Sequence, residues 1–186
     1  MADLNQSPTQ SPAQSPAETL TPTAPDLNLP LPLSAGGVTL ALRPPGPIWS
    51  VSPLKKARPA SLRKLALPDI GACTETAFWA GHRQWFLRDG PAPRGGGLAV
   101  TDQSGGWVIF EMSGERAADV LARLCPLDLR PQAFADGSAA RTEFAHMMAL
   151  VARLNGRFEI WIMRSFAQTA AHHIHDAMQS VAAQGR

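Results

Sequence analysis

From about residue 48 onward, apolar and polar positions along the chain fall into short blocks that predict an order of elements. Ile48 to Val51 is a brief apolar run suited to a strand. A basic stretch from about Pro59 to Leu67 reads as a helix stopped by Pro68. Thr76 to Ala80 and Gln84 to Arg88 follow as two strands joined through Gly81-His82. Trp107 to Met112 is the next strand, with Val108, Phe110 and Met112 as its inward face.

Ser113 then stands where an N-cap should, before a helix from Gly114 to Cys125 that Pro126 ends. Ala117, Val120, Leu121 and Leu124 follow helical spacing on its apolar side. After a loop rich in Pro, Asp and Gly, strands Phe144 to Arg153 and Phe158 to Met163 flank Asn155-Gly156. That pair tolerates positive φ at both central positions and marks a hairpin. Phe158, Ile160 and Ile162 share a face. Ser165 is expected to cap a long helix to about Ala183, with Phe166, Ala170, Ile174, Ala177, Met178 and Val181 as its buried stripe. Strand, helix, strand, strand thus occurs twice before a terminal helix. The fold class this predicts is α+β: two β-α-β-β halves with antiparallel sheet and covering helices.

The first 36 residues change the domain picture. They repeat Gln6-Ser7-Pro8, Gln10-Ser11-Pro12 and Gln14-Ser15-Pro16, contain no Lys or Arg, and carry few large apolar side chains. Proline removes donors and fixes φ, so a disordered or polyproline-II tail over 1–36 is expected, with one folded domain over 37–186. Of 186 residues, 45% are hydrophobic and 17% charged, which suffices for a packed core. The net charge of +2 is well short of a committed nucleic-acid binder, and no nucleic-acid partner is expected. The chain shows no apolar stretch long enough to span a bilayer and no apolar leader, so a soluble, cytoplasmic protein is the expectation.

Candidate chemistry adds little. Cys73 and Cys125 lie far apart, as two free thiols of a reducing compartment or as a lone disulfide. In the string His172-His173-x-His175-Asp176, His172, His175 and Asp176 could share a helix face, but two or three ligands on one solvated helix rarely close a metal site, and none is assigned. Lys55, Lys56, Arg58, Arg63 and Lys64 form a basic cluster that reads as a solvated face or a partner surface. Gly95-Gly96-Gly97 and Gly105-Gly106 lack the pattern of phosphate-binding loops and read as turns. No catalytic, cofactor-binding or metal residue is therefore nominated. Trp107 and Trp161 are placed on outward strand faces, where an aromatic is either core under a second layer or, since tryptophan is favoured where one chain meets another, a partner contact. With Trp79 and Trp85 beside the Gly81 turn, they are the interface candidates.

Specific strings say more. Val100-Thr101-Asp102-Gln103-Ser104 leading to Trp107, then Ser113-Gly114 and a segment ending Cys125-Pro126-Leu127-Asp128-Leu129, resemble the gamma subunit of heterotetrameric sarcosine oxidase. So do Pro131 with Phe134, Ala140-Arg141-Thr142, and Phe158 to Phe166. Upstream, Trp79 to Leu87 is similar to that family's Trp-x-Gly-Pro-Asp-x-Trp-Leu segment, with His82-Arg83 in place of Pro-Asp. The resemblance covers roughly Val38 to Ala183 and leaves the Ser-Pro tail outside. It implies a fold similar to the folate-binding aminomethyltransferase domain, and a non-catalytic subunit supporting oxidative demethylation of sarcosine to glycine. Alpha, beta and delta subunits are the implied partners, and they would hold FAD, FMN, NAD and zinc. Ala140-Arg141-Thr142-Glu143 lacks the Asp of the folate-enzyme signature, so no folate site is transferred. The rival expectation is a stand-alone folate-binding or one-carbon transfer protein.

Overall fold

The computed structural model describes residues 23–55, 63–95 and 97–184. The Gln-Ser-Pro repeat and most of the basic helix expected over 59–67 lie outside the described residues; the part of that helix inside them is mainly turn.

Ten strands are described. β1 (Leu33–Ala35) and β2 (Val38–Leu42) form a hairpin. β3 (Ile48–Pro53), β4 (Ala77–Gly81), β5 (Gln84–Arg88) and β6 (Leu98–Asp102) make a four-stranded sheet in the order β4-β5-β3-β6. β7 (Trp107–Ser113), β8 (Ala139–Phe144), β9 (Met147–Leu154) and β10 (Arg157–Met163) join the first hairpin in a six-stranded sheet, order β1-β2-β7-β10-β9-β8. The pairings between named strands are antiparallel. The helices are a short α1 (Ala117–Leu121) and a long α2 (Ala167–Gln184).

Three layers result. On one face of the six-stranded sheet, Val108, Phe110, Met112, Phe158, Ile160 and Ile162 pack against Val120 and Leu121 of α1 and Ile174, Met178 and Val181 of α2. On the opposite face, Ile109, Leu150 and Trp161 pack against Ile48, Phe78 and Phe86 of the smaller sheet. The central strands β7, β9 and β10 are therefore apolar on both sides, which is why they read as runs rather than as clean alternation.

Several expectations are corrected. The tail does not extend to residue 36 in the described part: Leu27 is buried in the core, and Leu29, Leu31 and Leu33 pack against it. Leucines at every second position give this proline-rich stretch a buried face, and prolines are tolerated at a sheet edge. Ser113 is not an N-cap, because it pairs with Thr39 inside the sheet; α1 begins after Arg116, with no side-chain cap. The strand expected over 144–153 is split by a turn at Ala145-His146, with β8 before it and β9 after it. Ser165 lies in a 3-10 turn, Arg164–Phe166, that leads into α2 without a side-chain cap, and Phe166 is 44% exposed rather than buried. The rest of the expected stripe, Ala170, Ile174, Ala177, Met178 and Val181, is buried.

The Asn155-Gly156 hairpin forms as expected between Leu154 and Arg157, with both central residues at positive φ. Asp136 fixes it from outside, accepting from the backbone N–H of Asn155 at 3.1 Å and of Gly156 at 3.0 Å.

Candidate functional site

The charged groups that matter structurally gather at one end of the seam between the two sheets. Arg88 is the last residue of β5, and Asp89 follows it; Arg43 follows β2, Glu111 is on β7, and Arg157 and Glu159 are on β10. Arg88 Nη1 donates to Glu159 Oε2 at 2.5 Å, and both side chains are buried. The same oxygen accepts from Trp161 Nε1 at 3.1 Å, while Arg88 Nε donates to the carbonyl of Glu75 at 2.7 Å. The Arg88 guanidinium also lies over the ring of Phe78, 4.6 Å from its centroid.

Arg43 extends the chain of charges toward solvent. It donates to Asp89 at 2.7 Å and to Glu111 at 3.1 Å, and Arg157 stands 3.6 Å from the other Glu111 oxygen. Burial pulls the Arg43 pKa down, but the bonds and charge of Asp89 and the bond to Glu111 outweigh it and leave it above the ordinary arginine value. A cavity of about 260 Å³ opens beside this network, lined by Arg43, Glu75, Arg88, Asn155, Arg157 and Glu159 among others. Asp89, Glu111 and Glu159 are each ion-paired. Each of these carboxylates is thus matched by a guanidinium of the same chain. The network therefore reads as a clamp between sheets.

The thiols are equally withdrawn. Both are free and buried, on opposite faces of the six-stranded sheet, which closes the disulfide alternative. Burial, with the negative charge of Glu159 adding to it, pushes the Cys73 thiol up to about 12; its Sγ donates to Ser138 O at 3.2 Å. Burial also raises Cys125, whose Sγ donates to Leu121 O at 3.4 Å. We expect neither to react with an aromatic disulfide reagent at pH 8 in native buffer, and both to react once denaturant is added. Prompt native labelling of either would contradict this burial.

On the last helix, His172 bonds the carbonyl of Gln168 at 2.8 Å, and His175 accepts from Gln179 at 3.2 Å. Among the described residues, no group of three or more His, Cys, Asp or Glu side chains is placed to hold a metal.

The tryptophans divide. Trp161 is fully buried between the sheets, 4.7 Å from the Phe78 ring and 5.9 Å from the Phe86 ring, so its expected outward placement is corrected: the second sheet covers that face. Trp107 shares that face at its open end and is half-buried. Trp79 and Trp85 sit directly opposite each other on β4 and β5, half-buried on the outer face of the smaller sheet. The buried ion pair was missed by the sequence reading. Its signal was present: Glu111 and Glu159 interrupt apolar runs, and a carboxylate in a central strand needs a partner.

The fold defines a two-sheet α+β chain of the kind found in heterotetrameric sarcosine oxidase: that enzyme from Corynebacterium sp. U-96, solved in complex with pyrrole 2-carboxylate, contains a chain that superposes with a TM-score of 0.71. The two are 22% identical, and the match covers 81% of this chain and 88% of that one. Two relatives found by sequence comparison are sarcosine oxidase gamma subunits. One from Arthrobacter is 32% identical over 127 residues, 60% of this chain and 61% of that one. Another, from Corynebacterium strain P-1, is 34% identical over 86 residues, 46% of this chain and 42% of that one. The chain thus spans less than two thirds of the length of these curated relatives. No family model matches it.

Proposed function

We propose that this chain is the non-catalytic gamma subunit of a heterotetrameric sarcosine oxidase, assembling with alpha, beta and delta subunits in the cytoplasm. In this reading the oxidative demethylation of sarcosine to glycine belongs to the assembly, and the FAD, FMN, NAD and zinc implied by the resemblance are held by the partners. The observation that carries the reading is the identity to two gamma subunits together with a fold shared with a chain of the solved complex. It is supported by the chemistry of the seam, where Asp89, Glu111 and Glu159 are each ion-paired with an arginine of the same chain. Among the described residues no helix is long and apolar enough to cross a membrane.

Co-expression with the three other subunits and affinity capture through a tag on this chain tests it. The expected eluate is yellow and contains all four polypeptides. Elution of this chain alone, with calorimetric binding of tetrahydrofolate to it, would favour a stand-alone folate protein instead.

A further inference from the structure

Two rows of side chains lie on the face of the six-stranded sheet that meets the smaller sheet. In the first, strand register sets Arg141, Leu150, Trp161 and Ile109 abreast across β8, β9, β10 and β7. Leu150 and Trp161 there are completely sealed by the smaller sheet. Two residues further along each strand the register sets Glu143 beside Met148 and Met163 beside Trp107. This second row runs out past the cover: Met148 is 52% exposed, Met163 46%, and Trp107 is half-buried. An apolar shelf is left open at the mouth of the seam.

Arg141 stands at the edge of that shelf with its bonding unmet. Its guanidinium carbon lies 5.7 Å from the centroid of the Trp107 ring. Nη1 makes one long bond to the carbonyl of Ala80 at 3.3 Å, and the enclosed Nε has no acceptor. Among the described residues it forms no ion pair; neighbouring Glu143 meets His146 at 3.0 Å instead. A half-buried guanidinium without a carboxylate is costly, and the cost is recovered when an acceptor arrives. Arg, Trp and Met are also the residues over-represented where proteins meet.

We propose that this shelf is the docking surface for one of the larger subunits, taking from it a segment that places a carboxylate side chain on Arg141 and apolar side chains on Trp107, Met148 and Met163. The inference rests on the assembly reading and adds to it the location and chemistry of the contact. Charge complementarity selects this occupant: the shelf supplies one unmatched cation in an apolar setting, and an acidic residue flanked by apolar ones matches it.

The test is a binding titration of the full chain against the co-expressed alpha, beta and delta subunits, by biolayer interferometry at two salt concentrations. Arg141→Met keeps the apolar stem and removes only the guanidinium; Met163→Glu places a charge on the shelf. Each is expected to weaken association by roughly tenfold or more, the loss seen when a central contact is removed, with little change in the melting temperature of the isolated chain. Arg141→Met is also expected to flatten the salt dependence. Wild-type affinity in both variants would overturn the docking surface while leaving the subunit reading intact. Failure of the wild-type chain to bind the other subunits would overturn both. Displacement of the wild-type complex by free glutamate or tetrahydrofolate at micromolar concentration would assign the shelf to a small molecule and overturn the proposal.

Discussion

Replacing Arg88 by Met is expected to destabilise the chain by about 3–5 kcal/mol, the usual cost of removing one partner of a buried ion pair. Glu159 would be left between two sheets without its guanidinium partner, with only Trp161 Nε1 bonded to it. The carbonyl of Glu75 would also lose the bond it accepts from Arg88, now 2.7 Å long. A chain of this size shifts its melting temperature by roughly 2–4 °C per kcal/mol, so a fall on the order of 10 °C is expected. The double variant Arg88→Met with Glu159→Gln should be less damaged than Arg88→Met alone. Gln removes the stranded charge yet keeps an oxygen for the Trp161 indole. Urea denaturation of the three proteins measures the difference. A cost below about 1 kcal/mol for Arg88→Met would mean that the pair does not clamp the sheets, since that is the range of exposed pairs.

Trp161→Ala is expected to cost a comparable amount, about 3–5 kcal/mol, because it empties a large volume in a sealed site. The indole touches the rings of both Phe78 and Phe86 and donates to the Glu159 carboxylate, so the cavity would open at the centre of the seam. Trp161→Phe should cost less, keeping most of the ring contact and losing the single donor. The pattern distinguishes a core residue from an interface residue. A core tryptophan lowers the denaturation midpoint of the isolated chain when truncated; an interface tryptophan leaves that midpoint alone and weakens assembly. Only the first is expected at Trp161. At Trp107, whose ring packs 5.1 Å from that of Phe86 and also borders the open shelf, both effects are expected: weaker assembly and a smaller fall in the midpoint than at Trp161.

The contrast between those two tryptophans shows how far the sequence could be read. Period-two alternation identified the face of β7 that meets the helices, because Val108, Phe110 and Met112 are consistently large and apolar. The other face was placed outside only because it points away from that inward set. In this chain Glu111 lies at the charged end of the seam, and the residues beside it on that face, Ile109 and Trp161, are covered by a second sheet. Burial on both sides is a tertiary fact that a single strand does not encode. Long α2 was legible from its stripe of alanines and larger apolar residues, whereas Phe166 was not, because the chain enters the helix through a 3-10 turn that rotates it outward.

Turns divide in the same way. Asn155-Gly156 advertises positive φ, and its hairpin was read correctly. Ala145 and His146 adopt positive φ as well, without the Asn-Gly pair that marks a two-residue hairpin, so β8 and β9 merged in the sequence reading. Of the candidate site, the strings that resemble gamma subunits were legible as strings. The unmet guanidinium of Arg141 was not, since it depends on what β4 and Trp107 place beside it.

In the proposed assembly this chain contributes a surface and no chemistry. Sarcosine-dependent hydrogen peroxide release, measured on the isolated chain and on the co-expressed four-subunit preparation in parallel, tests that most directly. The account predicts no release above background from the chain alone and steady turnover from the assembled preparation. Peroxide produced by the isolated chain, or full turnover by an alpha, beta and delta preparation that never incorporates it, would contradict it.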